Sequence, residues 1–79
     1  MKTQNPVQLG AAIRLTRKQL KITQKDLAMA SGTGLRLIID LERGKATCQI
    51  GKILDVLQAL GLQIEIQNKS PSTQKGGEA

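Results

Sequence analysis

The chain has 79 residues, enough for one small domain, and a formal net charge of +6. It contains no Phe, Tyr or Trp, which excludes the modules that stack nucleic-acid bases on aromatic side chains. It also contains no histidine, which removes the Ser/His and Cys/His nucleophilic arrangements and the common metal sites. We therefore expect a binding protein rather than an enzyme, with no cofactor and no metal.

The excess positive charge lies entirely in the first part of the chain. Residues 1–45 hold nine Lys or Arg against three Asp or Glu, whereas residues 46–79 hold three of each. A concentrated basic region suggests a polyanionic partner, although charge alone equally allows a solvated basic face. Cys48 is the single cysteine, so an internal disulfide is excluded. No segment is long and apolar enough to span a bilayer, and we expect a soluble protein without a membrane partner.

The first predicted helix covers residues 6–20. Asn5 followed by Pro6 is typical of an N-cap with a proline in the first helical turn. Leu9, Ile13 and Leu20 recur at helical spacing and predict the buried face.

The second predicted helix opens at "TQKD". Thr23 is a good N-cap, and Asp26, three residues on, forms a capping-box pair with it. Leu27 and Ala28 are predicted to face inward, while Ala30 is small enough for a tight helix crossing. Ser31 and Gly32 end this helix, because glycine adopts the positive φ of a C-cap readily.

Two further helices follow. The third runs from Thr33 and Gly34 to about Arg43 and stops at Gly44. The fourth covers residues 50–60 and stops at Gly61. Its apolar residues recur at helical spacing and are Ile50, Ile53, Leu54, Leu57 and Leu60.

The period changes after the fourth helix. Residues 62–67 alternate strictly, with Leu62, Ile64 and Ile66 on one face, and this pattern predicts a β-strand. An isolated strand leaves its backbone groups unpaired, so the simplest partner is the same strand of a second copy. The alternative is an extended segment that docks on the core of its own chain.

The expected organisation follows from these elements. Residues 1–5 form an N-terminal extension, residues 6–61 a helical domain and residues 62–67 the dimerisation strand. Residues 68–79 are polar, contain Pro and Gly, and predict a disordered tail.

The helix pair at the centre of the chain resembles a known family. "TQKDLA", Gly32, Ile38 and "LERGK" at this spacing resemble the phage-repressor (Cro-type, XRE) helix-turn-helix proteins, over about residues 9–61. "GLRLIIDLERGKAT" followed by "KILDVLQALGLQIEI" resembles the HipB-like antitoxins, repressors encoded with a HipA-like serine/threonine kinase toxin. The resemblance implies an all-α, lambda-repressor-like domain of about four helices, with one short C-terminal strand pairing across a homodimer. It also implies that residues 6–61 are a helix-turn-helix DNA-binding domain and that the partner is a pseudo-palindromic double-stranded DNA operator.

The third helix is predicted to read DNA. At about 100° per residue, Leu37, Ile38 and Leu41 share the core-facing arc. In the family, bases are commonly contacted from the positions that match Leu35, Arg36, Ile39 and Asp40. Arg36 is the strongest base reader of these, because it can bond guanine O6 and N7 together, although a phosphate contact stays open. Asp40 could accept from a cytosine amine, or it could orient Arg36 or Arg43.

The resemblance also implies contacts to the DNA backbone and one structural ion pair. The expected backbone contacts are Gln24, Lys25, Thr33, Gly34, Arg43 and Lys45, although a solvated surface lysine is the favoured alternative for Lys25. Gly34 departs from the family, which often has a capping Ser or Thr there. Thr33 takes over the capping, or the bare helix N-terminus approaches the DNA backbone closely. Arg17 and Glu42 match the family's ion pair and are interpreted as scaffold.

The leading hypothesis is a dimeric DNA-binding repressor that also acts as the antitoxin of a HipA-like kinase in the bacterial cytoplasm, associated with the nucleoid. Two alternatives stay open. One is a stand-alone repressor without a toxin. The other is a protein-binding adaptor that has lost DNA binding and uses Leu35 and Ile39 as an apolar patch. The basic first part of the chain argues against the adaptor.

Overall fold

Four helices form the regular structure of the protein, whose computed structural model describes residues 3–65. They are α1 (Pro6–Gln19), α2 (Gln24–Ser31), α3 (Leu35–Glu42) and α4 (Ile50–Ala59). α1 packs against α3, and α2 packs against both α3 and α4. The prediction of an all-α helix-turn-helix fold with about four helices is confirmed. None of these helices is both long and apolar enough to cross a membrane.

The first two helices begin where their caps predict. The Asn5 side chain accepts a hydrogen bond from the backbone N–H of Gln8 at 2.8 Å, and Pro6 follows it in the first turn. At the start of α2, Thr23 Oγ1 accepts from the backbone N–H of Asp26 at 3.0 Å. Asp26 in turn accepts from the backbone N–H of Thr23 at 3.0 Å, which completes the capping box.

The core is aliphatic and lies where the four helices meet. Its buried members are Ile13, Leu27, Ala28, Ile38, Leu41, Ile53, Val56, Leu57 and Leu60. Cys48 is half-buried and packs against this core. Arg17 is also buried, despite its charge.

The buried face of α4 differs from the predicted one. Ile53 and Leu57 are buried as expected, but Val56 completes the face, whereas Ile50 and Leu54 are 63 % and 47 % exposed. At 100° per residue, Ile50 and Leu54 fall at the edge of the arc that faces α2. Helical spacing alone therefore predicts a wider buried face than α4 has.

The close helix crossing also lies elsewhere. Ala30 is exposed, and the tight contact is made by Gly10 of α1 against the end of α3. A Cβ at Gly10 would collide with the carbonyl oxygen of Leu41 and lie 3.0 Å from that of Glu42. Leu20 was also expected in the core, but it caps α1 and is half-exposed where the chain turns away through Lys21 at φ 60°.

After α4 the chain continues along the core. Leu62 and Ile64 are half-buried and pack against it, whereas Gln63 and Glu65 are exposed, which matches the alternation in the sequence. No β-strand occurs within residues 3–65. Strand pairing requires a second strand, so the pairing across a homodimer stays a prediction. Ile66, the rest of the predicted strand and the predicted tail lie outside the described residues.

Candidate nucleic-acid interface

The helix-turn-helix unit consists of α2, a three-residue turn and α3. Gly32 is the C-cap of α2 at φ 71°, a left-handed conformation that glycine adopts without a Cβ penalty. The backbone N–H of Thr33 donates to the carbonyl of Ala28 at 3.0 Å, which closes the end of α2. The turn thereby fixes the direction in which α3 leaves α2.

The first turn of α3 has no side-chain cap. Gly34 is its N-cap, in extended conformation at φ −90°, and no side chain accepts from the first N–H groups. The hydroxyl of Thr33 lies 2.8 Å from that of Ser31 and makes no cap bond to α3, so the alternative in which Thr33 caps this helix is wrong. The start of α3 therefore presents backbone N–H groups that an anion could bind.

α3 divides into a buried face and an open face. Ile38 and Leu41 are fully buried, and Leu37 is half-buried against the core. On the other side Leu35 is 44 % exposed, and the side chain of Arg36 is 85 % exposed. The apolar composition of this helix is thus explained mainly by its core-facing arc.

A buried carboxylate fastens the end of α3 to the two preceding helices. Glu42 accepts from Arg17 Nε at 2.7 Å and from Arg17 Nη2 at 3.1 Å, in a two-pronged ion pair. It also accepts from Gln24 Nε2 at 3.2 Å. The remaining terminal nitrogen of Arg17 donates to the carbonyl of Ile22 at 2.9 Å. One acid therefore joins α1, the start of α2 and α3.

The charge state of Arg17 is fixed by its surroundings. The hydrogen bond to Glu42 raises the pKa of the Arg17 guanidinium above its ordinary value, and the attraction of the carboxylate adds to this, while burial acts in the opposite direction. Arg17 therefore stays charged, and its role is to hold helices together rather than to titrate.

A surface groove of about 440 Å³ runs beside the network. Its lining residues are Arg14, Gln24, Ile39, Glu42 and Arg43. Arg14 was not among the predicted contacts, although its position three residues before Arg17 places both on one side of α1. Two guanidinium groups, the α2 N-terminus and an amide side chain suit an anionic ligand.

A second cluster lies on the open face of α3. Asp40 Oδ1 lies 3.5 Å from Arg36 Nε, and Asp40 Oδ2 lies 3.4 Å from Lys45 Nζ. The structure therefore brings together two predicted base-contacting residues and one predicted backbone-contacting residue. Arg43, which was considered as another partner of Asp40, instead lines the groove as the C-cap of α3.

The other predicted residues are more scattered. Lys25 is exposed in the first turn of α2, next to Gln24. The proposed dimerisation residues Leu62 and Ile64 follow α4, outside the helix-turn-helix unit. Among residues 3–65, no three His, Cys, Asp or Glu side chains cluster as metal ligands would.

Comparisons with known proteins agree with this geometry. The profile of a family described as "Helix-turn-helix domain" matches residues 10–65. The HTH-type transcriptional regulator y4mF of Sinorhizobium fredii (strain NBRC 101917 / NGR234) is 52 % identical over 61 residues, which cover 77 % of this chain and 80 % of that protein.

Solved structures of HipB complexes share the fold. A HipA-HipB-O2-O3 complex and a HipB-O4 20mer complex each contain a chain that is 27 % identical, with a TM-score of 0.79. In each case the match covers 89 % of this chain and 99 % of the other. The resemblance expected from the sequence is confirmed, and the chain belongs to the helix-turn-helix transcriptional regulators of the phage-repressor (XRE) type.

Proposed function

We propose that this protein is a sequence-specific DNA-binding repressor that works as a homodimer. The observation that carries the proposal is the open face of α3, held in place by the buried Glu42 network and bordered by cations. The likeness to HipB chains solved as an O4 20mer complex and an O2 20mer complex supports the same use of this face. α3 is therefore assigned to the major groove, with its N-terminal half nearest the base edges.

Four residues of α3 are proposed to meet the bases. They are Leu35, Arg36, Ile39 and Asp40, of which Asp40 either accepts from a cytosine amine or acts by orienting Arg36. Arg36 supplies hydrogen-bond donors for guanine, whereas Leu35 and Ile39 can touch thymine methyl groups but offer no hydrogen-bond code. The high exposure of the Arg36 side chain supports its assignment as the main reader.

Contacts to phosphates are proposed around the groove and at the helix starts. The residues are Gln24, Lys25, Thr33, Gly34, Arg43 and Lys45, to which the structure adds Arg14. Gln24 illustrates the reason, because Glu42 takes only one N–H of its amide and fixes the side chain, so the other N–H is free to donate to a phosphate. Thr33 and Gly34 would act through the backbone at the uncapped start of α3.

Dimerisation is proposed through residues 62–67, with Leu62, Ile64 and Ile66 on the inner face. Within the described chain, residues 63–65 form no backbone hydrogen bond with any other segment. Their N–H and C=O groups are therefore available to an antiparallel copy of the same segment. A two-fold pair of helix-turn-helix units would match the two halves of a pseudo-palindromic operator.

An antitoxin role is the finer part of the proposal. One of the structural relatives is a chain of a HipA-HipB-O2-O3 complex, which supports a HipA-like kinase as a second partner. The relative from Sinorhizobium fredii is named only as a regulator, so a stand-alone repressor is the alternative. Co-expression with a kinase encoded next to this gene would decide: a stable complex that restores growth supports the antitoxin, and growth arrest despite expression of both proteins contradicts it.

DNA recognition is tested by comparing two arginines. The wild-type protein first selects its preferred duplex from a randomised pool, and each variant is titrated against that duplex and a scrambled one at several salt concentrations. Arg36→Ala should lose about 1–3 kcal/mol on the preferred duplex only, since a base contact is removed. Arg43→Ala should weaken both duplexes alike and lower the salt slope by about one, as expected for a phosphate contact.

A matched control separates these effects from net charge. Lys52→Ala removes one positive charge from an exposed position in α4, outside the helix-turn-helix unit. This variant should change neither the preference for the selected duplex over the scrambled one nor the salt slope appreciably. If the wild type selects no sequence from the pool, the repressor assignment fails; if Arg36→Ala weakens both duplexes equally, Arg36 holds the backbone instead of reading a base.

A further inference from the structure

Asp40 is an acidic residue on a face that is proposed to approach a polyanion. Its side chain is only 18 % exposed, whereas its partners Arg36 and Lys45 are 85 % and 54 % exposed. The carboxylate therefore lies beneath two cations that extend past it towards solvent. A phosphate that reaches either cation comes close to this negative charge.

The backbone keeps Lys45 beside Asp40. The N–H of Lys45 donates to the carbonyl of Asp40 at 3.0 Å, across the turn at Gly44. Gly44 has φ 87°, and a Cβ there would lie 2.9 Å from a methyl group of Val7. The position of Lys45 relative to α3 is therefore set by the fold. Asp40 and any bound phosphate compete for its single ammonium group.

Arg36 is held differently. Asp40 lies next to its Nε, on the inner edge of the guanidinium, so the two terminal nitrogens can still donate. Those are the donors that bond guanine O6 and N7 together. Arg36 can therefore read a guanine without leaving Asp40, whereas Lys45 must loosen its contact with Asp40 to bind a phosphate fully.

We propose that Asp40 is a specificity-determining residue that acts through its two cations: it presents Arg36 to guanine and restrains Lys45 from phosphates. The inference rests on the proposed DNA binding and deepens it. DNA of any sequence gains its affinity from phosphate contacts, which Asp40 weakens, while the preferred sequence also gains from a well-oriented Arg36. Asp40 thus lowers affinity for random DNA more than affinity for the preferred duplex, which is how repulsive elements create specificity.

The test uses Asp40→Asn, which removes the charge and keeps the shape. Binding is measured on the duplex selected by the wild type and on a scrambled duplex over a range of salt concentrations. Affinity for the scrambled duplex should rise roughly five-fold, the size of one unit charge acting near a phosphate in water. The salt slope on that duplex should steepen by about one, and the ratio of the two affinities should fall.

Two further variants isolate the mechanism. Asp55→Asn makes the same charge change at an exposed position of α4 and should leave the ratio of affinities unchanged. In an Arg36→Ala background, Asp40→Asn should still strengthen binding to the scrambled duplex. It should no longer lower the ratio of the two affinities, because the arginine that Asp40 orients is already absent.

The outcomes are distinguishable. Binding of the wild type to no duplex would overturn the DNA-binding proposal itself. If the wild type binds selectively but Asp40→Asn leaves the affinity ratio unchanged, only the role of Asp40 is overturned. A third result would also overturn it: Asp40→Asn changes the preferred base at a single position and leaves scrambled DNA unaffected, so that Asp40 reads a cytosine amine directly.

Discussion

Glu42 and Asp40 lie two residues apart on α3, and each is shared between two donors, yet their surroundings differ. The side chains of Glu42 and Arg17 are 4 % and 10 % exposed and lie 2.7 Å apart. The partners of Asp40 are largely in water, at 3.5 and 3.4 Å. A buried acid with complete hydrogen bonding fixes the fold, whereas a partly buried acid whose partners are exposed contributes little stability and stays free to respond to a ligand.

The largest expected effect comes from replacing Glu42, the buried acid of the two. Glu42→Ala removes three hydrogen bonds and leaves the Arg17 guanidinium buried without its counter-charge. The free energy of unfolding should fall by about 3 kcal/mol, measured by urea or thermal denaturation. The double variant Arg17→Met/Glu42→Ala should recover part of this loss, since no buried charge remains. Identical melts for Glu42→Ala and the wild type would contradict the buried network.

A second prediction concerns the packing that brings Glu42 to Arg17. Gly10→Ala places a methyl group against the backbone carbonyls at the end of α3. Backbone cannot yield as a flexible side chain does, so we expect a loss of roughly 2 kcal/mol from overpacking.

The control is Gly51→Ala in α4, where a Cβ would meet nothing within 4 Å. That change should be neutral or stabilise by about 0.5–1 kcal/mol through helix propensity. If both alanine variants melt alike, α1 and α3 do not approach as closely at Gly10 as the structure indicates.

Much of the fold could be predicted because its signals are local. Caps at Asn5 and Thr23, the left-handed Gly32 and the apolar period of α3 depend on residues near in sequence, and the structure agrees with each of them. The tight contact at Gly10 could not be predicted, since it depends on the path of backbone that lies about thirty positions away. The periodicity of α1 gave no sign that its glycine would face α3.

The arrangement of the candidate site was also only partly predictable. The spacing of Arg36 and Asp40 on one helix predicts their contact, because residues four apart are neighbours. The contact of Lys45 with Asp40 depends on how the chain turns at Gly44, and the groove at Arg14 depends on how α1 crosses α3. Such tertiary positions are set by packing, which a local pattern does not encode.

A third acid, Asp26, extends the comparison of Glu42 with Asp40. Its side chain is exposed, but it accepts a hydrogen bond from the backbone N–H of Thr23. Thr23→Ala should reduce the free energy of unfolding by about 1 kcal/mol, as the loss of an N-cap does.

The backbone N–H and hydroxyl of Thr23 hold the pKa of Asp26 below its ordinary value. Its contribution is therefore present above the pKa of the unfolded chain and is lost as the pH falls through the folded pKa.

The measurement for Asp26 is the pH dependence of unfolding in the acidic range. The wild type should lose stability there, and Asp26→Asn should flatten that part of the profile because the titrating group is gone. Lys18→Gln, which removes an exposed positive charge from α1, should leave the slope nearly unchanged. An Asp26→Asn profile with the wild-type slope would mean that the capping box does not form in solution.

The smallest expected effect is on stability at Asp40, and it completes the contrast with Glu42. The Arg36 and Lys45 pairs are exposed enough to be screened by water and salt, so together they contribute little. Asp40 also lies in the last turn of α3, where a negative charge opposes the helix dipole and offsets what the pairs contribute. Asp40→Ala should therefore change the free energy of unfolding by no more than about 0.5 kcal/mol. Chemical denaturation at low and high salt would check this. A loss comparable to that of Glu42→Ala would place Asp40 in the scaffold and remove the reason for assigning it to DNA discrimination.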